Sequence, residues 1–278
     1  MDNKSIIWTS GGPQSTIADV VKVAASNPLA TTQGASQMTK SFELNLDEVL
    51  NRRYRVVDKV DPARTALLVV DMQKFFLRQG QPGYLPGGDG SPTAETVVEN
   101  CVRAVDVCRQ AGMHVIWSRW GLRGDGWDVG LWAHKWPTWH AGTPEGPSWD
   151  NEATGIVEEL QPLPGEPVFD KSRYSSFYGT PLDTWLQHIG NVDTLIMIGV
   201  TTGFCVRYTV EDAFSRDYKV IVLADCTTAT NDPIQSEVPG SGQYFAALRD
   251  FAIGLGDVMT LDELVTHLPQ AAVPATVV

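Results

Sequence analysis

From residue 62 onward, short β-rich runs alternate with longer helical patterns, and that alternation restricts the chain to few folds. The runs are TALLVV (65–70), MHVIWSR (113–119), EPVF (166–169), DTLIMIG (193–199), YKVIVLA (218–224) and DVMT (257–260). Several are apolar on both alternating faces, so they suit strands buried between two layers of helix. Strands separated by helices pair in parallel through right-handed crossovers. The pattern predicts an α/β fold: a three-layer, doubly wound sheet of about six mainly parallel strands with helices on both faces. The helix before the second run has clear punctuation. Ser91 and Pro92 read as N-cap and first-turn residue, and Gly112 as the left-handed terminator.

Two segments fall outside the alternation. Residues 1–60 hold two short helical patterns, IADVVKVAAS and LDEVLNRRY, around a polar stretch, with no core of their own. They read as an N-terminal arm on a domain spanning residues 61–278. Residues 120–150 are rich in Gly, Pro and Trp, and a structureless stretch of that length within a compact domain is often functional.

Charge and cysteine usage exclude several classes. A net charge of −12 opposes nucleic acid, which needs clustered Lys and Arg, and gives no attraction to an anionic membrane surface. No apolar run approaches the roughly 20 residues of a membrane-spanning helix, and the start, MDNKSIIWTSGG, lacks a secretory signal's apolar stretch. Four cysteines and five scattered histidines in 278 residues are not a disulfide framework. The expectation is a reduced, cytoplasmic protein.

In open α/β sheets, ligands bind beyond the carboxyl ends of the strands, so the residues there matter most. The first run ends at Asp71, the third leads to Lys171, and the fourth runs through VTTGF to Cys205. Alone, Asp71 reads as a loop carboxylate, Lys171 as a solvated lysine and Cys205 as a small buried hydrophobe. After Cys205 the apolar positions Val206, Val210, Ala213 and Phe214 follow helical spacing, which puts the cysteine near a helix N-terminus, where a thiolate is favoured. Cys101 and Cys108, seven apart on one helix, share a face and read as structural. Cys226, read as ending the fifth strand, has no evident chemical partner. A carboxylate, an ammonium and a thiol at one sheet edge suit nucleophilic catalysis.

Three blocks, ALLVVDMQKFF, PVFDKSRYSSFYGTPLD and LIMIGVTTGFCVRYTVEDAFSRDYKVIVLADC, resemble the isochorismatase-like cysteine hydrolases from about residue 62 to about 260. The resemblance implies the isochorismatase-like, Rossmann-like form of the α/β sheet. It also implies a catalytic triad of Asp71, Lys171 and Cys205, a cis peptide between Val200 and Thr201, and an oxyanion hole from the backbone N–H groups of Thr201 and Cys205. Gln73, Phe76, Trp120, Tyr174 and Phe177 flank the triad in sequence as substrate-binding candidates, and each also fits plain core packing. The implied reaction is hydrolysis of an amide, ureido or carbamoyl C–N bond in a small molecule, through a thioester. Vinyl-ether cleavage without the thiol, or a silent binding protein of the same fold, are the alternatives. The nicotinamidase members bind a metal through Asp-x-His and a further His, a spacing missing from SRWGLRGDGWD. His134 and His140, six apart, are a weak metal signal, so no metal and no cofactor are expected. Family members commonly assemble as dimers or tetramers, and the same is expected here.

Overall fold

The computed structural model describes residues 55–88, 90–136, 146–229 and 242–269. Within them six strands form: β1 (Thr65–Val70), β2 (His114–Trp120), β3 (Val168–Lys171), β4 (Thr194–Val200), β5 (Lys219–Thr228) and β6 (Asp257–Met259). They make one sheet in the order β3-β2-β1-β4-β5-β6, with every pairing parallel. The helices are α1 (Lys74–Leu77), α2 (Ala94–Gln110), α3 (Trp132–Lys135), α4 (Leu182–Ile189), α5 (Arg207–Phe214), α6 (Gln243–Asp250) and α7 (Leu261–His267).

Alternate residues of each central strand enter two different cores. Leu67, Val69, Ile196 and Ile198 pack with Val97, Val105 and Leu264 from α2 and α7. Leu68, Val70, Leu195 and Met197 pack with Leu186, Val210 and Leu248 from α4, α5 and α6. The sheet is thus covered on both sides, which is why β1 and β4 are buried along their whole length. Each large apolar side chain so buried contributes roughly 1.5–3 kcal/mol.

With both faces apolar, side-chain alternation alone fixes register weakly. Gly199 supplies the missing constraint. It is paired with Val70 across β1 and β4, has φ +111°, and a Cβ there would stand 2.0 Å from the Val70 carbonyl oxygen. Only glycine permits that approach.

Some boundaries differ from the sequence reading. α2 is capped by Thr93, whose Oγ1 accepts from the Thr96 N–H at 3.3 Å. Ser91 is instead held in a turn, with both its N–H and its hydroxyl on the Gly88 carbonyl. At the other end Gly112 takes φ +79°. Its N–H bonds the Arg109 carbonyl and the Met113 N–H the Cys108 carbonyl, closing the helix as a Schellman turn. β3 lies two residues later than EPVF, and β5 runs on to Thr228, so Cys226 lies inside the strand. The N-terminal arm falls outside the described residues as far as residue 54. Among the described residues no helix is long and apolar enough to cross a membrane.

Candidate active site

The strand order reverses direction between β1 and β4, which opens a crevice at their carboxyl ends. Asp71 leaves β1 there with φ +51°, a left-handed conformation that Asp tolerates better than most residues. The neighbouring strand holds it in place. The Asp71 N–H bonds the Ser118 carbonyl at 3.2 Å, and the Ser118 hydroxyl donates to Asp71 Oδ1 at 2.8 Å.

Lys171 ends β3, and β2 lies between β3 and β1. Its four-carbon chain reaches past β2 and brings Nζ to 2.6 Å from Asp71 Oδ2, with both side chains wholly buried. Nζ also donates to the Arg173 carbonyl at 3.1 Å. Burial pulls the ammonium's pKa down, but the Asp71 carboxylate, with Cys205 beside it, outweighs that, and the net direction is upward. Lys171 therefore stays charged.

Cys205 arrives from β4. The Val200–Thr201 peptide is cis, and the chain then makes a wide, π-type turn over Thr202–Val206 that runs into α5. The Phe204 and Val206 N–H groups both bond the Thr201 carbonyl at 3.1 Å, and the Thr209 hydroxyl donates to the Cys205 carbonyl at 2.6 Å. The Cys205 thiol is near enough to Asp71 and Lys171 to feel both electrostatically. Burial pushes that thiol up to about 12; Lys171 opposes the shift and Asp71 adds to it. This reverses the expectation that a helix N-terminus would draw out the thiolate. The opposite charges on either side largely cancel, and desolvation decides.

A cavity of about 40 Å³ opens in front of Cys205, lined by Phe76, Gly83, Leu85, Trp120, Trp132, Trp136, Tyr174, Thr201 and Phe204. Four of its rings run edge to edge and then stack: Trp120 to Trp132 at 5.3 Å, Trp132 to Tyr174 at 4.9 Å, Tyr174 to Phe204 at 5.0 Å. The Trp136 side chain hydrogen-bonds the Tyr174 hydroxyl.

Of the sequence candidates, Phe76, Trp120, Tyr174 and Thr201 line this cavity, while Gln73 and Phe177 do not. The Gln73 amide is consumed by backbone: Nε2 donates to the carbonyls of Trp120 and Thr154 at 2.8 and 2.6 Å, and Oε1 accepts from the Trp120 N–H at 2.7 Å. It pins the end of β2. Phe177 packs in the core beneath α4 and α5, with the Arg216 guanidinium 4.7 Å above its ring. Sequence reasoning missed Ser118, Leu85, Phe204, Trp132 and Trp136. The tryptophan density of residues 120–150 was the available signal for the last two.

A larger groove of about 800 Å³, bordered by Lys74, Arg119, Asp150 and Glu158, is lined by none of the three central side chains. His134 lies in α3, and His140 falls outside the described residues. Among the described residues no group of three or more His, Cys, Asp or Glu is placed to hold a metal ion.

A buried thiol beside a carboxylate and a fixed cation can carry out acyl transfer. Comparison with known proteins bears on which kind. The isochorismatase domain model matches residues 65–263. The chain is 35% identical over 189 residues to a ureidoacrylate amidohydrolase from Cronobacter sakazakii, covering 63% of this chain and 79% of that one. Among solved structures, a cysteine hydrolase from Pseudomonas syringae pv. phaseolicola superposes with a TM-score of 0.68 at 29% identity, over 77% of this chain and 97% of its own. An N-carbamoylsarcosine amidase from Thermoplasma acidophilum does so with a TM-score of 0.53 at 25% identity, over 71% and 96%.

Proposed function

Because the chain belongs to the isochorismatase family, whose model spans residues 65–263, we propose that it hydrolyses a C–N bond of a small amide or ureide through a thioester on Cys205. The observation that carries this reading is the wholly buried Asp71–Lys171 pair, closed at 2.6 Å, with the buried Cys205 thiol in its electrostatic reach.

In the first step Asp71 takes the thiol proton as Cys205 Sγ attacks the substrate carbonyl carbon. Proton transfer and attack belong together, because a free thiolate is disfavoured in so dry a site. Lys171 keeps the local charge balanced throughout. The carbonyl oxygen becomes an oxyanion, which the backbone N–H groups of Thr201 and Cys205 are assigned to stabilise. The C–N bond then breaks, and Asp71 returns its proton to the departing nitrogen. A water molecule, deprotonated by the same Asp71, attacks the thioester. The acid leaves and the thiol is restored. The relatives named for ureidoacrylate and N-carbamoylsarcosine support C–N bonds as the target.

Four unpaired, buried cysteines support a reducing compartment, and the reading includes a cytoplasmic homo-oligomer, which sedimentation would test. The central test is ammonia release from a panel of amides, ureides and carbamoyl compounds, with Cys205→Ala beside the unaltered chain. The expected result is turnover abolished by the substitution, with an acyl adduct on Cys205 seen by mass spectrometry after rapid acid quench. Turnover that survives Cys205→Ala would refute the thioester route.

A further inference from the structure

The cavity in front of Cys205 carries information about the substrate that the three reactive side chains do not. Its walls are mostly rings and hydrocarbon, from Phe76, Leu85, Trp120, Trp132, Tyr174 and Phe204, with no lysine, arginine or histidine among the lining residues. Lys171 does not line it, and its Nζ is held by Asp71 and by the Arg173 carbonyl. Arg173 and Lys135 line a second groove that shares only Trp132 and Tyr174 with the cavity. There, Arg173 Nη1 is occupied by the carbonyls of Asp128 and Ser172.

Two of the cavity's residues carry a polar side-chain atom without a partner among the described residues, the indole N–H of Trp120 and the hydroxyl of Thr201, but both atoms are buried behind the wall, and the surface that meets the cavity is almost wholly apolar. Those residues are only 2% and 6% exposed. One is a donor and the other gives or takes a hydrogen bond, and both are neutral. A carboxylate would lose its water and meet no cation among the described lining residues. The size points the same way. A water molecule needs about 10–15 Å³ by this kind of measure, so about 40 Å³ admits only a few non-hydrogen atoms.

We infer that the substrate places a short, uncharged, apolar group in this cavity, and that substrates bearing a carboxylate at that end are rejected. The inference rests on the amide-hydrolase reading and narrows it to neutral amides and ureides. It separates this chain from relatives named for ureidoacrylate, which is an acid.

The test pairs compounds that carry a methyl or a carboxylate at the far end, butyramide with succinamate and propylurea with 3-ureidopropionate, with succinamide as the neutral compound of succinamate's size. Binding is measured on full-length Cys205→Ala by calorimetry and by quenching of tryptophan fluorescence. Turnover is measured on the unaltered chain as ammonia release. The neutral member of each pair is expected to bind, and to show kcat/KM at least thirtyfold above its acid partner. Equal or tighter binding of the acids, or binding of neither, overturns the inference. Cys205-dependent turnover that prefers the acids also overturns it, while leaving C–N hydrolysis standing. Selective neutral binding with no Cys205-dependent turnover supports the neutral cavity and refutes the hydrolase reading instead.

Discussion

Cys205 meets an anion and a cation at once, in a place with almost no water: it is 5% exposed. Asp71 and Lys171 nearly cancel as charges, so burial sets the thiol's pKa, pushing it up to about 12. An uncharged alkylating agent such as iodoacetamide should therefore react with Cys205 at a rate that keeps rising from pH 8 through pH 10. An ordinary thiol levels off once past about 8.5, and a plateau near neutrality would contradict this account. The ion pair itself makes a second prediction. Lys171→Met strands the buried Asp71 carboxylate and should cost about 3–5 kcal/mol in urea unfolding, whereas adding Asp71→Asn should recover most of that loss. If the double variant is no more stable than the single one, the two side chains do not act as a pair. Asp71, Lys171 and Cys205 were legible in the sequence because strand ends fix where they emerge. Gln73 and Phe177 misled because closeness along the chain does not say whether a side chain turns to the crevice, the backbone or the opposite core. Trp132, Trp136 and Phe204 reach the cavity through loop and turn geometry, which leaves no periodic trace.

Among the elements, β1 and β4 were the most readable, since strands buried on both faces have little freedom in composition. β5 was read too short. Its last residues, DCTT, look polar, yet Thr227 and Thr228 pair with Gly199 and Val200 beyond a register shift in β4, and the Thr227 hydroxyl meets that of Thr202 at 2.8 Å. Those contacts are tertiary, and no local pattern announces them. The β1–β4 junction at Gly199 delivers both Asp71 and Cys205 to one place. Gly199→Ala puts a methyl 2.0 Å from the Val70 carbonyl oxygen in a backbone conformation of φ +111°. It should destabilise the protein by about 3 kcal/mol or more, and in the fraction still folded lower kcat more than it raises KM, because Cys205 and Asp71, the proposed nucleophile and base, are displaced together. Guanidinium unfolding and steady-state kinetics check the two halves separately; an unchanged kcat would mean that the junction does not position the pair.

At the scale of the whole molecule, the site draws on β1, β3 and β4, while β6 forms the far edge of the sheet. The segment entering β1 crosses to that edge. The N–H groups of Val56 and Val57 bond the buried Asp257 carboxylate at the start of β6, Val60 N–H bonds the His267 carbonyl at 3.1 Å, and Arg55 pairs with Glu263 on α7. This strap fastens the two ends of the described chain and touches none of the cavity residues through these bonds. Stability and catalysis should therefore separate. Asp257→Ala leaves those N–H groups without their acceptor and should lose about 2–4 kcal/mol, since each stranded group costs about 1–3 kcal/mol. At about 2–4 °C per kcal/mol for a domain of this size, the melting temperature should fall clearly in a thermal scan. Asp257→Asn retains one acceptor oxygen and should fall less. Below the transition, both variants should keep the parent kcat and KM, since Asp71, Lys171 and Cys205 retain every contact that places them. A proportional loss of kcat would show that the edge of the sheet, through β5 and the Thr202–Thr227 contact, helps to hold the Thr202–Val206 turn that carries Cys205 in place.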